Sequence, residues 1–375
     1  MIYLDNAATT YPKPECVYQT LDKANRHAFN SGRGGYKVAR EATQLVDKVR
    51  NKILEINDIR SGKVVFSTSA TIALNHLIFG IDLSEGDNIY ISPFEHNSVI
   101  RPLEALKKYI KINILMLPFN KETWELEEEK MQDMFALNKP KAIIISHISN
   151  TTGFLLPYQT IFRHSKKYNA VNILDSSQGY GIVTINNLSD IHYIVFAGHK
   201  SLYASFGIAG YIKLKNDKLK HCLFGGTGSD TMNPFMSTEI PDGYEAGSLN
   251  IVAISSLETS LIWLQSTDIY NHEQQLTNYL IEQLKTIPKC HLYLPKDETK
   301  VFGIVSINVD GYQSEEVGNI LDEEFDICLR TGFHCAPKVH NFISSIENNG
   351  TVRISLNYFN TQEEIDRLIT ALKTL

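Results

Sequence analysis

Tyr193-Ile194-Val195-Phe196-Ala197-Gly198-His199-Lys200 is a short apolar, β-branched run that meets a glycine and ends on a lysine. Runs of this length bounded by turn residues read as buried strands. Open α/β sheets build their sites at the ends of such strands, so Lys200 stands where a charge is poorly solvated. Taken singly, a strand-end lysine is more often a surface charge, and its neighbours must argue otherwise.

Outward from this run, the first two hundred residues alternate short apolar runs with stretches of helical period. That pattern predicts strand-helix-strand units on a mostly parallel sheet. The strand candidates are Val64 to Ser67, Asn88 to Ser92, Ile112 to Leu117, Ala142 to Ser146, Asn172 to Asp175, Tyr193 to Ala197 and Ile208 to Leu214, seven strands of one α/β sheet. From Val252 to about Ile287, Leu257, Leu261, Leu264, Tyr270, Leu276, Leu280 and Leu284 recur at helical spacing, predicting a long connecting helix, whole or broken. Beyond it, Val301 to Val309, Glu315 to Leu321, Val352 to Ser355 and Gln362 to Leu372 read as strand, helix, strand and helix of a smaller α+β domain. A chain of 375 residues exceeds what one core usually serves. The expected division is a large domain over 15–258 and a small one formed by 1–14 and 259–375.

Charge and cysteine usage narrow the partners. With 36 basic against 42 acidic residues and no basic run interleaved with aromatics, a nucleic-acid surface is not expected. Met1-Ile2-Tyr3-Leu4-Asp5 carries no targeting pattern, and no apolar run is long enough to cross a bilayer. Cys16, Cys222, Cys290, Cys328 and Cys335 form an odd set without a C-x-x-C pair. They read as reduced thiols rather than disulfides or a metal cluster, which points to the cytosol.

Several residues extend the reading from Lys200. Asp175 ends the run Val171-Asn172-Ile173-Leu174-Asp175, where a carboxylate is costly unless it meets a positive partner; a protonated ring nitrogen is one such partner, and capping a helix is the plainer role. Ser67-Thr68-Ser69-Ala70-Thr71 follows one strand and opens a helix, a place for a phosphate on backbone N–H groups, with capping by Thr71 as the rival. No nucleotide-loop glycine pattern claims it. His96, Asn150 and Gln178 follow three other strands. Cys335 lies in Arg330-Thr331-Gly332-Phe333-His334-Cys335-Ala336-Pro337, where Arg330 and His334 would favour a thiolate. The other four cysteines read as buried structural thiols in less charged settings. Arg353, alternating with apolar residues in Thr351-Val352-Arg353-Ile354-Ser355, clamps a carboxylate or faces water.

These motifs together resemble the pyridoxal 5'-phosphate-dependent cysteine desulfurases of the class V aminotransferase family, fold type I. The resemblance runs from Tyr3-Leu4-Asp5-Asn6-Ala7-Ala8-Thr9-Thr10 through Glu95-His96-Asn97-Ser98, Ser149-Asn150-Thr151-Thr152-Gly153, Asp175-Ser176-Ser177-Gln178 and Gly198-His199-Lys200 to His334-Cys335 and Arg353. It implies a large domain with a seven-stranded sheet, the cofactor joined to Lys200, and Asp175 on its ring nitrogen. It further implies His96 against the ring, Gln178 with Asn150 as a second candidate on the ring hydroxyl, and Ala70, Thr71 and His199 on the phosphate. Ser248, in Glu245-Ala246-Gly247-Ser248, stands where the family has a threonine that reaches the neighbouring subunit's phosphate, so a homodimer is implied. Lys200 would take the Cα proton and Cys335 the sulfur of L-cysteine, giving alanine and a persulfide destined for an acceptor protein. Arg353, Asn150, Arg33 and Arg330 would meet the substrate, and the form of the Cys335 loop is that of the branch with SUF-type desulfurases and selenocysteine lyases. The sequence departs from the pattern at Tyr36 (histidine), Ile72 (glutamate), Ala197 (serine or threonine) and Leu249 (proline). Those departures keep open other chemistry on the same cofactor, such as sulfinate cleavage, transamination or epimerisation, or a turnover-deficient protein that only binds partners.

Overall fold

The structure, a computed structural model, describes residues 1–32, 34–228 and 232–375. Its centre is a seven-stranded sheet of β1 (Lys63–Ser67), β2 (Asn88–Ile91), β3 (Asn113–Met116), β4 (Pro140–Ser146), β5 (Val171–Asp175), β6 (Tyr193–Ala197) and β7 (Ala209–Lys213), in the order β1-β7-β6-β5-β4-β2-β3. All seven expected strands are present. β7 alone runs against its neighbours, so the other six point their C-terminal ends to one edge. Both faces of the sheet are covered. Ile143 and Ile145 enter one core and Ala142 and Ile144 another, the alternation that a strand's period of two dictates. A strand buried on both faces has no polar side, which is why β4 to β6 read as largely apolar runs.

The connecting segment is a broken helix, Ile251–Gln265 followed by Ile269–Leu284. Asp268 makes the break, accepting the N–H of Asn271 to cap the second helix. Side chains of the first helix join the larger core, Leu261 and Leu264 included, whereas those from Leu276 onward join a smaller core with Ile2 and Leu4. That smaller core lies on an antiparallel sheet of β8 (Cys290–Tyr293), β9 (Ile304–Val309), β10 (Arg330–Gly332) and β11 (Thr351–Ser355), ordered β10-β11-β9-β8. β8 and β10 were not anticipated, being short and half-exposed edge strands without a clean alternation. Ile2–Tyr3 pairs in parallel with Ile327–Cys328. A capping box of Thr361 and Glu364 opens the last helix, Gln362–Leu372.

The two cores are stitched at Gly153, whose carbonyl accepts the N–H of Phe302 at 3.0 Å while the N–H of Leu155 reaches the Lys300 carbonyl at 2.8 Å. Gly153 has φ +69°, and a Cβ there would lie 2.2 Å from the Ile304 carbonyl oxygen. Backbone cannot yield as a flexible side chain does. Gly153→Ala is therefore expected to lower unfolding stability by roughly 2–4 kcal/mol, measured by urea denaturation; a loss under about 0.5 kcal/mol would contradict so close an approach.

Candidate active site

Lys200 and Asp175 face one cavity at the C-terminal edge of the sheet, together with Ala70, Thr71, His96, Asn150, Gln178 and His199. A larger cleft of about 690 Å³, bordered by Trp124, Phe154 and Tyr158, shares no residue with it, and its Glu125, Glu128 and Lys300 are exposed rather than buried. Chemistry, not size, selects the former.

Burial lowers the Lys200 pKa to about 8, with the Asp175 charge opposing and Arg353 and Arg330 assisting. A neutral amine is thus within reach near neutrality. Burial pushes the Asp175 carboxyl upward, against the Ser177 N–H and hydroxyl at 3.0 and 2.5 Å and the Lys200 charge. Asp175 caps no helix; its Oδ1 accepts both Ser177 donors within its own turn. His96 caps the helix Asn97–Leu106, its Nδ1 accepting the Ser98 N–H at 3.0 Å, which leaves the ring proton on Nε2. Burial, then the charges of Lys200, Arg330 and Arg353, holds its pKa at about 3, so the ring is neutral.

The helix Ala70–Gly80 is capped by Ser69, not Thr71, through an Oγ that accepts the Ile72 N–H. Its first turn, Ala70 and Thr71, borders the cavity and carries the unsatisfied amides of every helix start. His199 completes that end. Its ring stacks on Phe206 at 4.6 Å and its Nδ1 is buried without a partner. The His199 carbonyl takes hydrogen bonds from the Thr10 N–H at 3.1 Å and the Thr9 hydroxyl at 3.0 Å, so the N-terminal segment straps the peptide that carries Lys200.

Cys335 is docked from the other side. Its carbonyl accepts the Asn97 N–H at 2.7 Å, and the His334 carbonyl accepts Asn150 Nδ2 at 2.7 Å. His334 and Cys335 both adopt left-handed φ, 46° and 56°, which aligns these two carbonyls toward the large domain. Phe342 in the following helix packs on Phe94 at 5.0 Å. Arg330 donates to Cys335 Sγ at 3.3 Å. His334 does not assist the thiol: its Nε2 turns to Thr351 and burial drives its pKa well below the usual value, because a ring pointing into the core cannot hold a charge. Asn150 uses its amide N–H on the loop, leaving Oδ1 buried and unpartnered on the cavity.

Arg353 is 1% exposed, which excludes the water-facing alternative. Its NH2 group pairs with Asp5, NH1 donates to the Asn150 carbonyl at 3.0 Å, and Nε has no partner. Ser248 lies away from the Lys200 cavity in a second one with Tyr244 and Ile72. Arg33 lies outside the described residues. The remaining cysteines are free and part-exposed rather than fully buried, and Cys328 sits beside Asp322 and Asp326, which with burial raise its pKa. Ala197 borders the Lys200 cavity and Ile72 the second one, while Tyr36 precedes the helix Lys37–Glu55 and is exposed.

Three residues escaped the sequence reading. Glu95, wholly buried, accepts from Ser92 and from the Ser146 N–H and hydroxyl, and burial raises it to about 7. Asp5 holds Arg353, and Lys13 is buried beside His199. Glu95 and Asp5 stood inside quoted motifs, yet only the tertiary fold reveals their partners.

A strand-end lysine, a facing carboxylate and a docked cysteine on a seven-stranded mostly parallel sheet define an α/β fold of the aminotransferase kind. The family model for aminotransferase class-V matches residues 2–368, and the chain belongs to that family. A probable cysteine desulfurase of Synechocystis sp. is 30% identical over 400 residues, spanning 100% of this chain and 90% of the relative. One of Methanothermobacter thermautotrophicus is 26% identical over 385 residues, spanning 100% and 94%. The solved cysteine desulfurase of Thermococcus onnurineus superimposes with a TM-score of 0.90 at 25% identity, covering 100% of this chain and 94% of that one.

The Lys200 amine at about 8 has a direct readout. Trapping with a small aldehyde and borohydride should label Lys200 with a rate midpoint near that pH, against about 10.4 for ordinary lysines. Asp175→Asn should move the midpoint lower still, since it removes an anion that favours the ammonium form. A wild-type midpoint above 10 contradicts the buried setting.

Proposed function

We propose that this chain is a pyridoxal 5'-phosphate-dependent cysteine desulfurase that converts L-cysteine to L-alanine and keeps the sulfur as a persulfide on Cys335. The observation that carries this reading is the convergence of the Lys200 amine and Asp175 on one cavity, with the Cys335 loop pinned through the His334 carbonyl to Asn150 on its wall. The names of the relatives support it.

The residues present fit the cofactor. Asp175 is a buried carboxylate without a cation in contact, suited to a protonated ring nitrogen. Asn150 Oδ1 is an orphan acceptor for a ring hydroxyl, with Gln178 beside it, and the Ala70-Thr71 helix start with His199 suits a phosphate. When bound, the cofactor supplies an electron sink for charge developing at the substrate's Cα. The protein supplies the rest. His96, uncharged and flat, would hold the ring face, and Lys200 in its neutral form would accept the Cα proton. Arg353 and Arg330 supply positive charge for the substrate carboxylate. Cys335 Sγ forms an S–S bond as the substrate's C–S bond breaks, the carbon keeping that electron pair and being protonated to alanine.

The working form in this reading is a homodimer. Ser248 does not reach its own chain's Lys200 cavity, and Phe224, Met232 and Phe235 in the same excursion are strongly exposed. Phe333, 46% exposed two residues before Cys335, offers an apolar contact to a sulfur-accepting protein. Five free thiols suit the reducing cytosol, and no helix among the described residues is long and apolar enough to cross a membrane.

The purified protein should show a visible absorption band with pyridoxal 5'-phosphate that Lys200→Ala abolishes. Cys335→Ala should keep the band and lose alanine formation from cysteine by at least about a hundredfold. Undiminished alanine release by that variant would rule out the persulfide route.

A further inference from the structure

Lys13 is 9% exposed, yet every acceptor around its ammonium is neutral. Nζ donates to the Thr10 carbonyl and hydroxyl, both at 2.9 Å, and to the His199 carbonyl at 3.4 Å. No carboxylate stands in contact with it among the described residues. Burial lowers its pKa to about 8 with no anion opposing. Buried cations are ordinarily paired, so an anion is missing from its surroundings.

The direction of that anion can be read from His199. Lys200 and Lys13 are the two cations whose charge reaches the His199 ring, and His199 shares the cavity wall with the helix start at Ala70 and Thr71. Once Lys200 is committed to the cofactor's aldehyde, Lys13 is the remaining fixed cation acting on that end among the described residues. The helix start offers only partial positive charge, too little to balance a phosphate dianion.

We propose that Lys13 is the counter-cation of the cofactor's phosphate, acting through the buried interior without touching it, while its hydrogen bonds hold the peptide that precedes Lys200. This rests on the cofactor reading above and adds a residue whose charge favours one particular part of the cofactor.

The test compares pyridoxal 5'-phosphate with pyridoxal, which keeps the aldehyde and ring but lacks the phosphate, titrated by visible absorbance into cofactor-free wild type, Lys13→Met, Lys13→Gln and Lys13→Arg. The glutamine variant keeps a donor without the charge, and it carries the test if the methionine variant does not fold. Loss of the charge should weaken pyridoxal 5'-phosphate on the order of tenfold and pyridoxal less than about twofold, with Lys13→Arg close to wild type for both. Equal weakening of both ligands, or none of either, overturns the proposal by reducing Lys13 to a structural role or to no role. A wild-type protein that binds neither ligand fails differently: it removes the cofactor reading itself, and this proposal with it.

Discussion

Lys200 and Asp175 are opposite charges buried in one cavity and held out of contact with each other. Each shifts the other's ionisation, yet the fold denies them the ion pair that would quench both. A direct pair would be satisfied and inert. Kept apart at the ends of adjacent strands β5 and β6, they leave space between an amine and a carboxylate, the separation that the proposed cofactor requires. The rest of the architecture serves this separation: the sheet order fixes the strand ends, the N-terminal segment fastens the Lys200 peptide, and Ser177 keeps the Asp175 oxygens turned.

The second constraint is the approach of the smaller unit. Cys335 belongs to a loop between β10 and a short helix, but its carbonyl, that of His334 and the ring of Phe342 all bond or pack onto residues following β2 and β4. Two consecutive non-glycine residues in left-handed conformation are an uncommon expense. Here they turn both carbonyls one way, so Asn97 and Asn150 fix where the thiol stands. Asn150 joins the two halves of the site, since its Nδ2 holds the loop while its Oδ1 remains open to the cavity.

Much of this was legible in the amino-acid order. The seven strands announced themselves because burial on both faces demands largely apolar runs, and Lys200, Asp175, His96 and Asn150 were legible as polar residues closing such runs. What escaped depends on contacts across hundreds of positions. The ring of His334 lies near Cys335 in sequence but turns to Thr351 in space. Arg353 alternates on its strand like any solvent-facing residue, and only its pairing with Asp5 makes it an interior group. β8 and β10 lack periodicity because they are edges. Lys13, between two prolines, looks like an ordinary turn charge until the fold closes over it.

The fastening of the first ten residues has a consequence for how the protein is made. Asn6 bonds the Ser355 carbonyl and Asn357 across some 350 positions, and Thr9 and Thr10 hold the Lys200 peptide. Residues around Asn6 thus find their place only after those around Ser355 have been made. Contacts of such sequence separation form late in folding, so the nascent chain has its sheet long before it has a working centre.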